Sequence, residues 1–266
     1  MPARSRRKKK ITHPKSPRKG KSAGFWALIA SLSLAVLLCG GFAYLYYLYE
    51  YDSKTWAEIV SMTNYNGIDV SHHNGIINWE RVARDEKIQY VYIKATEGAS
   101  FHDMLYRRNL TKSRKNGLKA GSYHYFSMHS TPEEQFENIR KHIKAEEQDL
   151  IPAIDVEHLK RYDPQEVRGR VLELARLMER HYGQKPLIYA NVYDYRTYLA
   201  PELDEYPLFL AHYNLVASNV REKPYLLWQY SDRGAVNGII GPVDFSRFHR
   251  EADLRHLLLH KTSACP

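Results

Sequence analysis

The 266-residue sequence predicts an α/β fold, an irregular (β/α) TIM-like barrel, preceded by one N-terminal transmembrane helix. Apolar runs alternate with helix-like stretches, as expected for parallel strands joined by helices. Eight such runs are enough to close a barrel, although the domain is shorter than the usual ~250 residues. An uncharged apolar segment ahead of them is long enough to cross a bilayer. An open doubly wound sheet is the alternative, but no G-x-G-x-x-G follows any predicted strand.

The N-terminal region predicts a single-pass membrane anchor. Residues 1–21 hold ten Lys or Arg and no acid. Residues 25–49 carry no charge and end in several tyrosines, which fits a membrane span with an aromatic belt. We therefore expect a cytoplasmic tail over residues 1–24, a transmembrane helix in the lipid bilayer over 25–49 and a stalk over 50–63. The folded domain, over 64–260, then lies outside the cytoplasm, in the periplasm if the cell is Gram-negative.

Two other interpretations of the apolar segment stay open. A cleaved signal peptide has a shorter apolar core followed by a small-x-small site, whereas this core gives way directly to large aromatic residues. A lipoprotein signal has a small residue before its cysteine, and Leu38 stands before Cys39. The retained anchor fits the sequence best.

The charge and cysteine content narrow the choice of partners. Of the 39 Lys and Arg, 29 remain after the ten of the tail, against 30 Asp and Glu. The basic character therefore belongs to the tail, where it sets orientation and contacts anionic lipid, and it does not indicate a nucleic-acid partner.

Cys39 and Cys265 leave the domain without an internal disulfide, which a domain of about 200 residues does not need.

The strand candidates are nearly unbroken apolar runs, as in parallel strands buried on both faces. Thr131 and Asp163 each precede a proline and act as helix N-caps, and Gly117 and Gly183 each end a helix. Little helix is found between the last three strands. The strand candidates are Gly67–Ser71, Tyr90–Thr96, Ala120–Phe126, Leu150–Glu157, Pro186–Ala190, Leu208–Tyr213, Tyr225–Tyr230 and Pro242–Phe245.

Acidic residues stand at the carboxyl ends of several predicted strands, the face where a β/α barrel places its catalytic groups. Asp155 and Glu157 are two residues apart, so on a strand they point the same way. Ionising both is costly, which favours one protonated acid beside one carboxylate. A glycosidase needs that division of labour. The other strand-end acids are Asp69, Glu97 and Asp244.

Aromatic and amide side chains occupy matching places on other strands. Sugar rings stack on aromatic faces while their hydroxyls bind polar groups, so we expect these side chains to bind a sugar polymer. They are Tyr123, Tyr125, Tyr189, Tyr213, Trp228, Gln229 and Tyr230.

Seven segments, which occur along the chain in the same order as in the family, resemble glycoside hydrolase family 25 lysozymes over roughly residues 64–250. The resemblance implies a barrel that cuts the β-1,4 bond between N-acetylmuramic acid and N-acetylglucosamine in peptidoglycan, with no metal and no cofactor. The family usually has an Asn two residues after its last Asp, where this sequence has Ser246. The segments are Gly67–Ser71, Lys94–Gly98, Gly121–Phe126, Asp155–Glu157, Ile188–Tyr189, Trp228–Ser231 and Val243–Asp244.

Carried over by motif, the resemblance implies site roles. Glu157 is the general acid and Asp155 is its partner. Asp69 and Asp244 complete an acidic floor, and Glu97 lines the cleft. The acid pair is compatible with a direct nucleophile, with an activated water or with the substrate's own acetamide as the nucleophile. A D-x-E pair suits the acetamide route well.

Two rival functions remain. A metal-dependent polysaccharide deacetylase would use several histidines near strand ends together with Asp69, but the sequence has no H-x-x-x-H or H-E-x-x-H pair. A non-catalytic wall-binding protein typically loses the acid and keeps the aromatics, whereas here every acid of the set is present. The histidines are His72, His73, His124, His129 and His158.

Overall fold

The computed structural model describes residues 23–213, 225–249 and 252–260. The cytoplasmic tail predicted over residues 1–24 therefore lies, as far as residue 22, outside the described residues, as does Cys265. The chain divides into two units, residues 1–53 and 54–266.

A long helix, α1, spans Ala23–Thr63. Its stretch Trp26–Leu48 is apolar and long enough to cross a membrane, judged by length and composition. The large side chains of this stretch are exposed, including Leu37 at 72%, as suits a surface in contact with lipid. The transmembrane prediction over residues 25–49 is compatible with this helix, which continues through the segment 50–63 predicted as the stalk.

Nine strands within the described residues form one sheet, and eight of them close into a barrel. Going round the barrel, the order is β1, β2, β4, β5, β6, β7, β8, β9 and back to β1, while β3 lies outside the closure on the edge of β2. The predicted α/β barrel is confirmed and the open doubly wound sheet is wrong. The strands are β1 Gly67–Val70, β2 Tyr90–Glu97, β3 Phe101–His102, β4 Lys119–Tyr125, β5 Ala153–Asp155, β6 Leu187–Asn191, β7 Leu208–Ala211, β8 Leu227–Gly234 and β9 Val243–Phe248.

The last strand of the barrel, β9, is antiparallel to the other seven barrel strands. β1, β2 and β4 to β8 pair in parallel round the barrel, but β9 is antiparallel to both β8 and β1. The expectation of a parallel sheet is therefore wrong for β9. Only residues 235–242 connect β8 to β9, and a parallel crossover needs a dozen residues or more. The chain consequently turns back on itself.

The helices follow the predicted capping signals. Thr131 and Glu134 form a capping box with side-chain to backbone bonds of 3.2 and 2.9 Å. Asp163 accepts from two backbone amides of its helix, and Gly183 ends that helix in the left-handed conformation at φ 70°. The helices of this unit are α2 Trp79–Val82, α3 Tyr106–Lys115, α4 Pro132–His142, α5 Pro164–Tyr182 and α6 Val192–Asp194, followed by a π turn at Tyr195–Leu199; short 3₁₀ turns lie at His72–Asn74, Ala145–Glu147 and Leu254–Leu257.

The strand predicted over Leu150–Glu157 is shorter in the structure. Only Ala153–Asp155 joins the ladder, while Leu150 makes an isolated antiparallel bridge to Leu258. Pro152 has no N–H to donate, so pairing begins after it. The apolar run therefore predicted burial correctly and overestimated the strand.

Tyrosine side chains of β2 fill the barrel. Tyr90 and Tyr92 are fully buried, and they lie two residues apart on the same face as Lys94. The Tyr90 hydroxyl pairs with Ser246 Oγ at 2.9 Å, and the Tyr92 hydroxyl donates to the Ile151 carbonyl at 3.1 Å. β2 thus leads from the packed interior up to the open end of the barrel.

The close approach of Tyr90 to Gly67 gives a stability test. A Cβ at Gly67 would lie 2.1 Å from the Tyr90 ring, so Gly67→Ala should lower the free energy of unfolding by about 1–3 kcal/mol through overpacking. Gly169, at an exposed position inside α5, has nothing within 4 Å of its Cβ position, and Gly169→Ala should raise the free energy of unfolding by about 0.5–1 kcal/mol. Urea unfolding of the detergent-solubilised protein measures both. A Gly67→Ala variant as stable as wild type would contradict this account of the packing.

Candidate active site

Four carboxyl groups from three strands meet in one cleft of about 240 Å³ at the carboxyl end of the barrel. Asp69 comes from β1, Asp155 from the end of β5, Glu157 from just beyond it and Asp244 from β9. These are the four acids predicted as catalytic, and together they are called the acidic floor below. Five of the predicted sugar-binding residues line the same cleft: Tyr123, Tyr125, Tyr189, Tyr213 and Gln229.

Asp69 and Asp244 form a carboxyl pair because β9 is antiparallel to β1, which places them directly opposite each other. Their side chains are hydrogen-bonded to each other. Burial and then the negative charge of Asp244 hold the pKa of Asp69 well above its usual range. Burial raises the pKa of Asp244 to about 6. The Asp69 carboxyl group therefore keeps its proton to higher pH than a solvated carboxyl group, and its hydrogen bond to Asp244 acts to lower the pKa of Asp244.

Gln229 links three strands to this pair. Its Oε1 accepts from the hydroxyls of Tyr189 at 2.9 Å and Tyr213 at 2.7 Å, and its Nε2 donates to Asp69 Oδ2 at 3.0 Å. Two hydroxyl donors on one amide oxygen fix the orientation of the amide. Two of the tyrosines that we predicted as sugar-binding are thus linked through Gln229 to Asp69 of the acidic floor.

Asp155 and Glu157 form the second carboxyl pair. Burial and then the negative charge of Glu157 hold the pKa of Asp155 well above its usual range. Burial also raises the pKa of Glu157. Within the described residues, the buried Oδ1 of Asp155 has no hydrogen-bond partner. The pair therefore keeps a proton to higher pH than a solvated carboxyl group and has one acceptor atom free for a ligand.

Lys94 brings a positive charge to the cleft. Its Nζ bonds to Glu97 Oε2 at 2.7 Å and lies 4.7 Å from the centre of the Tyr125 ring. This ammonium group acts against the upward pKa shifts of Asp155 and Glu157. Glu97 itself does not line the cleft and reaches it through Lys94.

Trp228 and Tyr230 lie outside the cleft. Successive residues of a strand point to opposite faces, and on β8 it is Gln229 that faces the cleft. The two aromatic side chains are buried against Arg247, whose guanidinium lies 4.4 and 5.4 Å from their ring centres. They therefore pack the barrel wall, and the structure does not bring them together with the other predicted sugar-binding residues.

Several lining residues were missed from the sequence. Tyr92 and Lys94 line the cleft, and their signal was the i, i+2 spacing along β2 on the face that ends in the cleft. Ser71 and His73 follow β1, and Phe209 lies on β7. A serine, a histidine or a phenylalanine at such places carries no distinctive signal in one sequence.

The histidines suggested for a metal site do not gather at one point: the rings of His72 and His73 lie 4.1 Å apart, but the others make separate structural contacts. His72 Nδ1 pairs with buried Asp103 at 2.9 Å, and His124 lies inside the domain between Thr96 and Gln135 at 2.8 and 3.1 Å. Over residues 23–213, 225–249 and 252–260, no group of three His, Cys, Asp or Glu is arranged to hold a metal ion.

The sequence and fold match one enzyme family. The family model "Glycosyl hydrolases family 25" matches residues 68–239. The protein YegX of Escherichia coli (strain K12) is 39% identical over 188 residues, which cover 69% of each chain. The autolytic lysozyme of Clostridium acetobutylicum is 30% identical over 182 residues, 68% of this chain and 55% of that protein.

A solved structure agrees with these matches. A family 25 glycosyl hydrolase from Bacillus anthracis superposes with a TM-score of 0.64 and 30% identity, over 70% of this chain and 90% of that one. The barrel is thus shared with a protein described as a family 25 glycosyl hydrolase. This chain belongs to glycosyl hydrolase family 25 and is a glycoside hydrolase.

Proposed function

We propose that this enzyme hydrolyses the β-1,4 bond between N-acetylmuramic acid and N-acetylglucosamine in peptidoglycan, the reaction of a lysozyme. The observation that carries the proposal is the Asp155–Glu157 pair, two buried carboxyl groups with raised pKa values in one cleft. Relatives that are named lysozymes, from Clostridium acetobutylicum and Streptomyces globisporus, support the substrate. The complete set of acids argues against a protein that only binds the wall.

In this proposal, Glu157 is the general acid. The Asp155–Glu157 pair keeps a proton because burial and mutual repulsion oppose two charges. A substrate N–H donated to the free Oδ1 of Asp155 favours the ionised form of Asp155. The proton then belongs to Glu157, which protonates the leaving oxygen as the C1–O bond breaks.

The substrate's acetamide serves as the nucleophile. Its carbonyl oxygen attacks C1 of the muramic acid residue, and Asp155 accepts the acetamide N–H and stabilises the positive charge of the ring that forms. A water molecule then attacks C1, and the Glu157 carboxylate takes the water's proton. Two displacements at C1 retain the anomeric configuration.

The remaining residues of the cleft bind the sugars. Tyr123, Tyr125, Tyr189 and Tyr213 offer ring faces and hydroxyl groups, and Gln229 holds two of these hydroxyls. Asp69 and Asp244 complete the acidic floor and accept hydrogen bonds from sugar hydroxyls. No step of this route uses a metal or a cofactor.

The proposed location follows from α1 and the basic residues before it. The apolar stretch Trp26–Leu48 anchors the protein in the cell membrane, and the Lys- and Arg-rich residues 1–21 keep the N-terminus in the cytoplasm. The enzyme domain then faces the wall, in the periplasm if the cell is Gram-negative.

The role of Glu157 can be tested by one substitution. Glu157→Gln should lower hydrolysis of purified peptidoglycan by about 10²–10⁴-fold, since an amide cannot donate the proton. Mass spectrometry of the wild-type products should find muramic acid at the reducing ends. Glu80→Gln, which alters a side chain that is 73% exposed, is the matched control and should be fully active. A folded Glu157→Gln enzyme with normal turnover would remove Glu157 from the mechanism.

The acetamide route makes a different prediction for Asp155. Asp155→Asn should lower kcat strongly and leave KM nearly unchanged, because the lost interaction belongs to the transition state. A thiazoline mimic of the cyclised acetamide should inhibit the wild-type enzyme. Proton NMR of fresh product should show the retained anomer. Inversion would eliminate the acetamide route and would make one of the other acids the base that activates water.

The membrane topology can be tested on spheroplasts. Protease added from outside should remove the enzyme domain, while a cytoplasmic marker protein stays intact. The N-terminal tail should remain with the membrane. A protected enzyme domain, or a mature protein that begins after residue 39 or 49, would rule out the anchored arrangement.

A further inference from the structure

A second groove, of about 600 Å³, lies beside the cleft. We call it the α4 groove, because the last turn of α4 forms one of its walls. Its lining carries more positive than negative charge: of the described residues that line it, Glu137 is the one acid, and it is bonded to Arg140 at 2.5 Å. The other charged or titratable side chains that line it are His102, Lys141, His142 and Lys144.

The flap formed by residues 98–102 lies between the groove and the cleft: Ala99, Ser100 and His102 line the groove, and Lys94, which Phe101 approaches on the other side, lines the cleft. On the cleft side, the Phe101 ring lies 5.6 Å from Lys94 Nζ and 5.8 Å from the His72 ring. On the groove side, the His102 ring stacks on His142 of α4, with ring centres 4.8 Å apart and planes 8° apart. A ligand in the cleft is thus separated from the groove by a single short hairpin.

The flap is held firmly against α4. Asn138 Nδ2 donates to the carbonyls of Gly98 and Phe101, both at 2.9 Å, and Asn138 is itself buried. These bonds fix the flap to α4 from the groove side.

The positive charge of the groove acts on the pKa of His142, one of its own side chains. Burial and then the positive charges of His102, Lys141, Lys144 and Arg107 lower the pKa of His142. Lys144 lies just beyond the end of α4, where its Nζ donates a hydrogen bond to the Arg140 carbonyl at 2.9 Å. Lys141 is exposed and is the cation freest to meet a ligand.

We propose that the α4 groove binds the acidic stem peptides that muramic acid residues carry, while the glycan strand occupies the cleft. The proposal rests on the proposed lysozyme function and extends it, since it makes the enzyme prefer peptide-bearing strands over bare ones. A peptide spans about 3.3–3.6 Å per residue, so three residues cover ~10 Å. That is enough to cross the flap, because β3 of the flap lies about 4.8 Å from its partner β2, the usual spacing of paired strands. The carboxylates of the stem then meet the cations of the groove.

Binding can be followed at His142, independently of catalysis. We would titrate the histidines of the wild-type enzyme by NMR, with and without the tripeptide L-Ala-γ-D-Glu-diaminopimelate. Bound carboxylates should raise the pKa of His142 by about half a unit, since a charge about 4 Å away in water acts on that scale. The same tripeptide with amidated carboxyl groups should have no effect. An unmoved His142, or one that moves with inorganic phosphate and not with the tripeptide, would overturn the proposal.

Catalysis gives the second test, on glycan strands with stem peptides and on strands stripped by an amidase. The double variant Lys141→Glu/Lys144→Glu should lower kcat/KM about tenfold on peptide-bearing strands, because two exposed charges are reversed. It should leave kcat/KM on stripped strands unchanged. Lys112→Glu/Lys115→Glu makes the same charge change on α3 and should alter neither rate. Equal rates of wild type and the groove variant on both substrates would overturn the proposal. If the wild-type enzyme cuts neither substrate, the proposed lysozyme function is wrong. In that case the His142 titration alone tests whether the groove binds the peptide.

Discussion

The antiparallel pairing of β9 with β1 is the constraint on which the cleft depends. It closes the barrel, and it sets Asp244 opposite Asp69. A slip of one residue would turn one of these side chains to the outer face of the wall. The same pairing carries Ser246 inward to the Tyr90 hydroxyl, so packing inside the barrel and the acidic floor above it are fixed by one register.

Four acids in one cleft are costly, and the structure offsets that cost in three ways. Asp69 and Asp244 share a hydrogen bond and so avoid a second full charge. Gln229 donates to Asp69. Lys94, largely buried, places an ammonium group among the carboxyls. Each device lowers the repulsion without filling the cleft, which leaves room and acceptor atoms for a sugar.

Much of the architecture was accessible from the sequence because buried parallel strands are apolar runs and helix ends have local signals. Thr131 and Asp163 cap their helices through their own side chains, which needs no tertiary information. The acids at strand ends could be grouped because parallel strands bring their carboxyl ends to one face.

What the sequence could not provide depends on long-range pairing. An apolar run has no direction, so β9 could not be recognised as antiparallel. The run Trp228-Gln229-Tyr230 shows that the glutamine and the aromatics face opposite ways, but only the neighbouring strands decide which side is the cleft. Lys94 was overlooked because a lysine inside an apolar strand has meaning only once its surroundings are known.

The distribution of cysteines bears on where this enzyme can fold. Cys39 lies in α1, and the sequence has no other cysteine before Cys265. The barrel is instead held by its tyrosine-filled interior and by closure of the sheet. Residues 64–260 contain no cysteine, so the folding of the barrel needs no disulfide bond and depends on none of the oxidising machinery that disulfide-rich exported domains require.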